Sequence, residues 1–134
     1  MYLPPNSVSN AAFLETLRVL LVHETASGVE LAYATPRAWL APGKRIAVRN
    51  APTSFGPLSY AIDAGAAEAH ATVEVPSRAR PRALRLRLRL PAGKRIVGVS
   101  LGGSPWTRFN ASTGTIDLSG RMGTLDLEVR YASR

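Results

Sequence analysis

Residues 84–90 read Leu-Arg-Leu-Arg-Leu-Arg-Leu, a strict alternation that only an extended strand resolves into one apolar face and one cationic face. Leu84, Leu86, Leu88 and Leu90 are therefore predicted inside and Arg85, Arg87 and Arg89 outside, on the wet side of a half-buried sheet. A one-residue slip in register would exchange the two sets, so the pattern fixes which face is which.

The period of two extends through most of the chain. Val29, Leu31 and Tyr33 mark one strand, Ile46 and Val48 a second, and Leu58, Tyr60 and Ile62 a third. Ala69, Ala71, Val73 and Val75 alternate with Glu68, His70, Thr72 and Glu74 in a fourth, whose glutamates Glu68 and Glu74 can sit opposite arginines of the neighbouring strand as cross-strand pairs. Residues 96–101, 115–118 and 125–131 complete the set. Pro42-Gly43, Pro91-Ala92-Gly93, Gly102-Gly103-Ser104-Pro105 and Ser119-Gly120 supply the turns. Short strands at this spacing mean a sandwich or a barrel, and the reading adopted is a mainly β, two-sheet antiparallel β-sandwich of about eight strands.

One helix precedes it. Ser9 or Asn10 can cap a helix over residues 12–24, because Phe13, Leu14, Leu17, Leu20 and Leu21 recur at helical spacing while Glu15 and Arg18 share the other face. Residues 1–28 thus form an N-terminal arm and amphipathic helix, and 29–134 the sandwich. The apolar side of the helix must cover the sandwich or a second chain, and a homo-oligomer through it is expected. In the connection 36–42, Pro36 sits at a first-turn position and a short helical turn is expected to tuck Trp39 inward. Gly-Lys-Arg-Ile occurs at 43–46 and 93–96, but the flanking residues differ, so it reads as one turn-to-strand solution used twice rather than a duplication.

At 134 residues the chain is one domain by length and buries enough surface to fold without staples. It has no cysteine, which excludes disulfides and thiolate metal sites. The net charge of +8 favours association with polyanions in general, and the arginine stripe Arg85, Arg87 and Arg89 is the candidate contact. Arginine-rich, alanine-rich usage also follows from genome base composition, so charge alone assigns no nucleic-acid site. No stretch reaches the roughly 18 apolar residues of a membrane span. Residues 1–10 carry two prolines and no basic cluster, so no secretory signal is expected there. The compartment stays open.

Chemistry-bearing motifs are few. Gly98-Val99-Ser100-Leu101-Gly102 fits the GxSxG pattern of a nucleophile elbow, yet it runs into Gly-Gly-Ser-Pro instead of a helix, and no histidine follows His70. Glu30, Glu68, Glu74, Asp126 and Glu128 fall on the polar phase of strands, where a solvated face accounts for them better than the paired carboxylates of glycoside hydrolysis. His23 and His70 are far apart with no carboxylate at ligand spacing, so neither a metal nor a cofactor is expected. No catalytic residue is assigned. Trp39, Phe55, Trp106 and Phe109 are the aromatic candidates for a carbohydrate or partner contact, Trp106 first among them because it follows a turn directly. Asn110-Ala111-Ser112 fits a glycosylation acceptor.

The run Leu31-Ala32-Tyr33-Ala34-Thr35-Pro36-Arg37-Ala38-Trp39-Leu40, followed by Gly43-Lys44-Arg45-Ile46, Ala51-Pro52-Thr53-Ser54-Phe55-Gly56-Pro57-Leu58-Ser59-Tyr60 and the later Leu/Arg alternation, resembles the C-terminal β-sandwich of bacterial six-hairpin glycoside hydrolases, whose catalytic domain is an (α/α)6 barrel. The likeness covers most of the chain from about residue 12 and rests on extended similarity, not on a catalytic motif. It implies a sandwich that packs against a barrel as an accessory layer, with the helix over 12–24 as the last segment leading out of that barrel. The family's catalytic carboxylates lie in the barrel and have no positions here. The expected function is a non-catalytic accessory module with a structural or docking role in carbohydrate metabolism; a carbohydrate-binding module and a basic polyanion-binding domain are the alternatives.

Overall fold

The structure, a computed structural model, describes residues 20–77, 79 and 81–133. Eleven strands are found among them: β1 (Val22–Glu24), β2 (Gly28–Leu31), β3 (Arg45–Ala51), β4 (Leu58–Ala64), β5 (Glu68–Glu74), β6 (Ala83–Arg87), β7 (Lys94–Leu101), β8 (Ser104–Pro105), β9 (Phe109–Asn110), β10 (Thr115–Asp117) and β11 (Thr124–Ser133). They form a five-stranded sheet in the order β1-β2-β6-β10-β9 and a six-stranded sheet in the order β3-β4-β5-β11-β7-β8. Both sheets contribute their apolar phase to one core, a sandwich-like arrangement. The excess over eight strands is β1 and the two-residue pieces β8 and β9, too short to leave a periodic signal.

The Leu/Arg segment behaves as its alternation requires. Leu84, Leu86, Leu88 and Leu90 are all buried, Leu86 completely, while Arg85 is exposed and Arg87 and Arg89 are half-buried. Leu58, Tyr60, Ile62, Ala69, Ala71 and Val73 face the same core from β4 and β5, and Leu125, Leu127, Val129 and Tyr131 do so from β11.

Three expectations are corrected. The sheets are not purely antiparallel: β2 and β6 run parallel, with Val29 beside Leu84 and Leu31 beside Leu86. After β2 the chain leaves the first sheet, builds β3 to β5 in the second, and returns to lay β6 beside β2 in the same direction, as a crossover must. That crossover also separates β5 from β6: Glu68 does stand opposite an arginine of its neighbouring strand, Arg130 of β11, but Glu74 meets Ser59 and Thr124 instead. Finally, the helix over 12–24 lies mostly outside the described residues; Leu20 and Leu21 are helical, but 22–24 is strand β1, paired with β2 through Val22–Leu31, His23–Glu30 and Glu24–Val29.

Two local devices change the phase of strands. Ala32 adopts φ 54°, so Leu31 and Ala32 are both buried and Tyr33 turns outward, 39% exposed. In β7 the register with β11 shifts between Arg130 and Tyr131, which puts Val97 outside at 51% exposure while Ile96, Val99 and Leu101 stay in the core. In the connection before β3, a single 3-10 turn spans Arg37–Leu40. Leu40 takes the core position and Trp39 remains half-buried.

Candidate functional site

The arginine stripe divides into two environments. Arg85 lies in register between Glu30 of β2 and Asp117 of β10, so carboxylates flank it on both sides. Arg87 has Thr115 opposite and donates from Nε to the Thr113 carbonyl at 3.2 Å and from a terminal nitrogen to the Tyr33 carbonyl at 3.1 Å. Its guanidinium also sits 5.5 Å from the centre of the Tyr33 ring, and that ring stacks on His23 at 5.2 Å. Glu30, Tyr33, Arg85, Arg87, Thr113 and Thr115 line a depression of about 230 Å³ on this face. Arg89 lies beyond the end of β6.

The aromatic candidates stand at different places. Trp39 lies beside β3, at one edge of the six-stranded sheet, and Trp106 follows β8, at the opposite edge. Phe55 sits in the β3–β4 turn, anchored where the Ala79 amide reaches its carbonyl at 3.2 Å. Phe109, in β9, opposes Ile116. Trp106 and Phe109 are three residues apart in the chain, but the Trp106 ring is already engaged: its Nε1 donates to the Asp117 carbonyl at 3.1 Å, and Arg108 and Arg121 lie over it at 5.5 and 5.6 Å. A sugar stacking on this ring would have to displace a guanidinium.

Two further depressions carried no sequence signal. On the outer face of the six-stranded sheet, Ala47, Ala61 and Thr72 stand side by side on β3, β4 and β5, and the small side chains leave a trough of about 470 Å³ walled by Arg45, Asp63, Arg49 and Glu74. Around the β3 edge, Leu21, Ala38, Trp39, Ile46 and Ala47 line a more apolar groove of about 480 Å³, with Lys44 and Arg45 at its rim. Alternation predicts which side faces water but not where small residues from separate strands align.

The acidic side chains are tied into the fold. Asp63 receives two hydrogen bonds from Arg45, at 2.7 and 2.6 Å. Glu24 accepts from the Ser54 amide at 2.7 Å, and Asp126 from the Thr72 hydroxyl at 3.3 Å. Asp117 accepts from Arg108 at 2.9 Å and from the Ser119 amide at 2.9 Å. Burial alone would raise its pKa, but the Ser119 bonds and the Arg108 bond and charge together outweigh burial and hold the carboxyl below its ordinary value of 3.8. Glu68, Glu74, Asp126 and Glu128 stand exposed on β5 and β11.

Ser100 lies inside β7, opposite Glu128 of β11 and Pro105 of β8, with the chain turning straight into β8; the strand-turn-helix setting of a nucleophile elbow does not form there. Asn110 organises its turn, its side-chain carbonyl accepting from the amides of Ser112 and Thr113 at 2.9 and 3.1 Å. Among the described residues no three His, Asp or Glu side chains are grouped to hold a metal ion, and no helix is long and apolar enough to cross a membrane. Comparison with family models, with curated proteins and with solved structures found no match to this chain.

Proposed function

We propose that the chain is a non-catalytic accessory module, of the kind that closes a six-hairpin glycoside hydrolase, and that it docks beside an (α/α)6 catalytic barrel. The observation that carries this reading is the use made of its acid groups: Asp63, Asp117, Asp126 and Glu24 hold β-strands and turns in place, where a general acid or base would have to face a substrate. Asp63 and Asp117 also belong to different sheets. The docking face is the groove at the β3 edge, where an aromatic anchor, Trp39, sits among small and aliphatic side chains and the cations Lys44 and Arg45 form the rim. An apolar centre with a charged border is the ordinary anatomy of a protein contact.

Purified protein is expected to turn over none of a panel of chromogenic glycosides, esters and phosphates. Turnover that is abolished by Asp63→Asn or Asp117→Asn, with the thermal transition retained, would overturn the reading.

A further inference from the structure

At the end of β6 and just past it, four cationic side chains come together at one pocket. Arg37 from the 3-10 turn, Arg87 from the end of β6, Arg89 just beyond it and Lys94 at the start of β7 all line one small pocket, closed on its far side by residues 111–114 of the β9–β10 turn. No Asp or Glu lines it. Three of the four cations are oriented by backbone carbonyls: Arg37 donates to Leu90 at 2.6 Å, Arg87 to Thr113 and Tyr33, and Lys94 to Ala66 at 2.9 Å. Carbonyl oxygens hold these groups in place without neutralising them. The fourth differs: Arg89 Nε is buried and has no hydrogen-bond partner among the described residues.

A buried N–H with no acceptor is a standing cost, and four like charges around a pocket that no carboxylate lines add to it. One negatively charged acceptor removes both penalties. The pocket volume is about 40 Å³, room for roughly three water-sized spheres at ~10–15 Å³ each, which fits one compact group and not a polyanion chain laid along the stripe. We propose that this pocket binds a single tetrahedral oxyanion, a phosphate or sulfate group, with Arg89 Nε as its innermost donor and Arg37, Arg87 and Lys94 supplying the surrounding charge. Guanidinium forks suit such oxygens because they present several N–H donors in a fixed plane. The site is independent of the docking reading and uses none of the groove residues.

The test follows the arginine Nε–H resonances by NMR while sodium sulfate or sodium phosphate replaces sodium chloride at constant ionic strength. The Arg89 signal is expected to shift saturably with either oxyanion and not with chloride. Arg37→Gln, at an exposed position that leaves the core intact, and Arg89→Lys, which keeps the charge but lacks Nε, should each weaken binding by ~10-fold or more, the loss of one charge-assisted hydrogen bond. Arg85→Gln should change it less than twofold. Glucose 6-phosphate and glucose 6-sulfate separate the sources: tighter binding than the inorganic ions identifies a group carried on a sugar, equal binding a free ion, and both support the site. A linear, non-saturating shift, or equal weakening by Arg85→Gln and Arg37→Gln, would overturn it and leave a diffuse cationic surface.

Discussion

Leu86 and Arg85 are adjacent in the chain and opposite in circumstance. Leu86 has no exposed surface and sits between Leu31 and Ile116 in the middle of the inner face, so truncation leaves a cavity that the flanking strands cannot fill. Leu86→Ala should cost ~2–5 kcal/mol of unfolding free energy, whereas Arg85→Ala should stay within ~0.5 kcal/mol, measured by urea denaturation. Equal losses would mean that the inner and outer phases are exchanged. Tyr60 is a second buried residue with a measurable signature. Its hydroxyl donates to the Leu21 carbonyl at 2.6 Å, and burial pushes its pKa well above the ordinary 10.0. Below pH ~10 both folded and unfolded states keep the proton; above it the unfolded chain loses the proton first, so stability is full below that pH and falls as pH rises, by at most ~1.4 kcal/mol per unit from this group. Tyr60→Phe should be less stable at neutral pH by ~1 kcal/mol and show a shallower alkaline decline. An unchanged slope would show that Tyr60 does not drive it.

At the scale of elements, the parallel contact between β2 and β6 depends on Gly28. A Cβ there would come within 1.8 Å of the Ala83 carbonyl oxygen, a backbone atom that cannot swing aside. Gly28→Val should therefore detach β1 and β2 from the first sheet, read as faster amide exchange over 22–31 with β4, β5 and β11 still protected. Uniform loss of protection would mean that the two sheets open together. This pairing is also where sequence reading reached its limit. Alternation identified the strand phases because side-chain direction is a property of one strand, and Leu84 to Leu90 obey it individually. Partnering is a property of two strands, and a crossover through the second sheet leaves no mark on either β2 or β6. The same reasoning explains Tyr33 and Val97: a left-handed Ala32 and a bulge beside Arg130 each reset the phase, and neither Ala nor Val announces such a conformation. The cationic pocket was half legible for the same reason. Arg87 and Arg89 stood out in the alternation, but Arg37 and Lys94 join them through the folding of distant segments.

For the whole molecule, the sheets leave one outer face with a trough and one edge with an apolar groove, while the buried phases of both sheets go into a shared core. The accessory reading assigns that groove to a barrel. The most direct measurement is sedimentation velocity of the protein mixed with a purified (α/α)6 glycoside hydrolase barrel deprived of its own C-terminal sandwich. A 1:1 complex is expected, lost on Trp39→Ala or Ala47→Arg and kept on Arg85→Gln, with each variant retaining its thermal transition. Sedimentation as two independent species, or a complex indifferent to both groove substitutions, would contradict it.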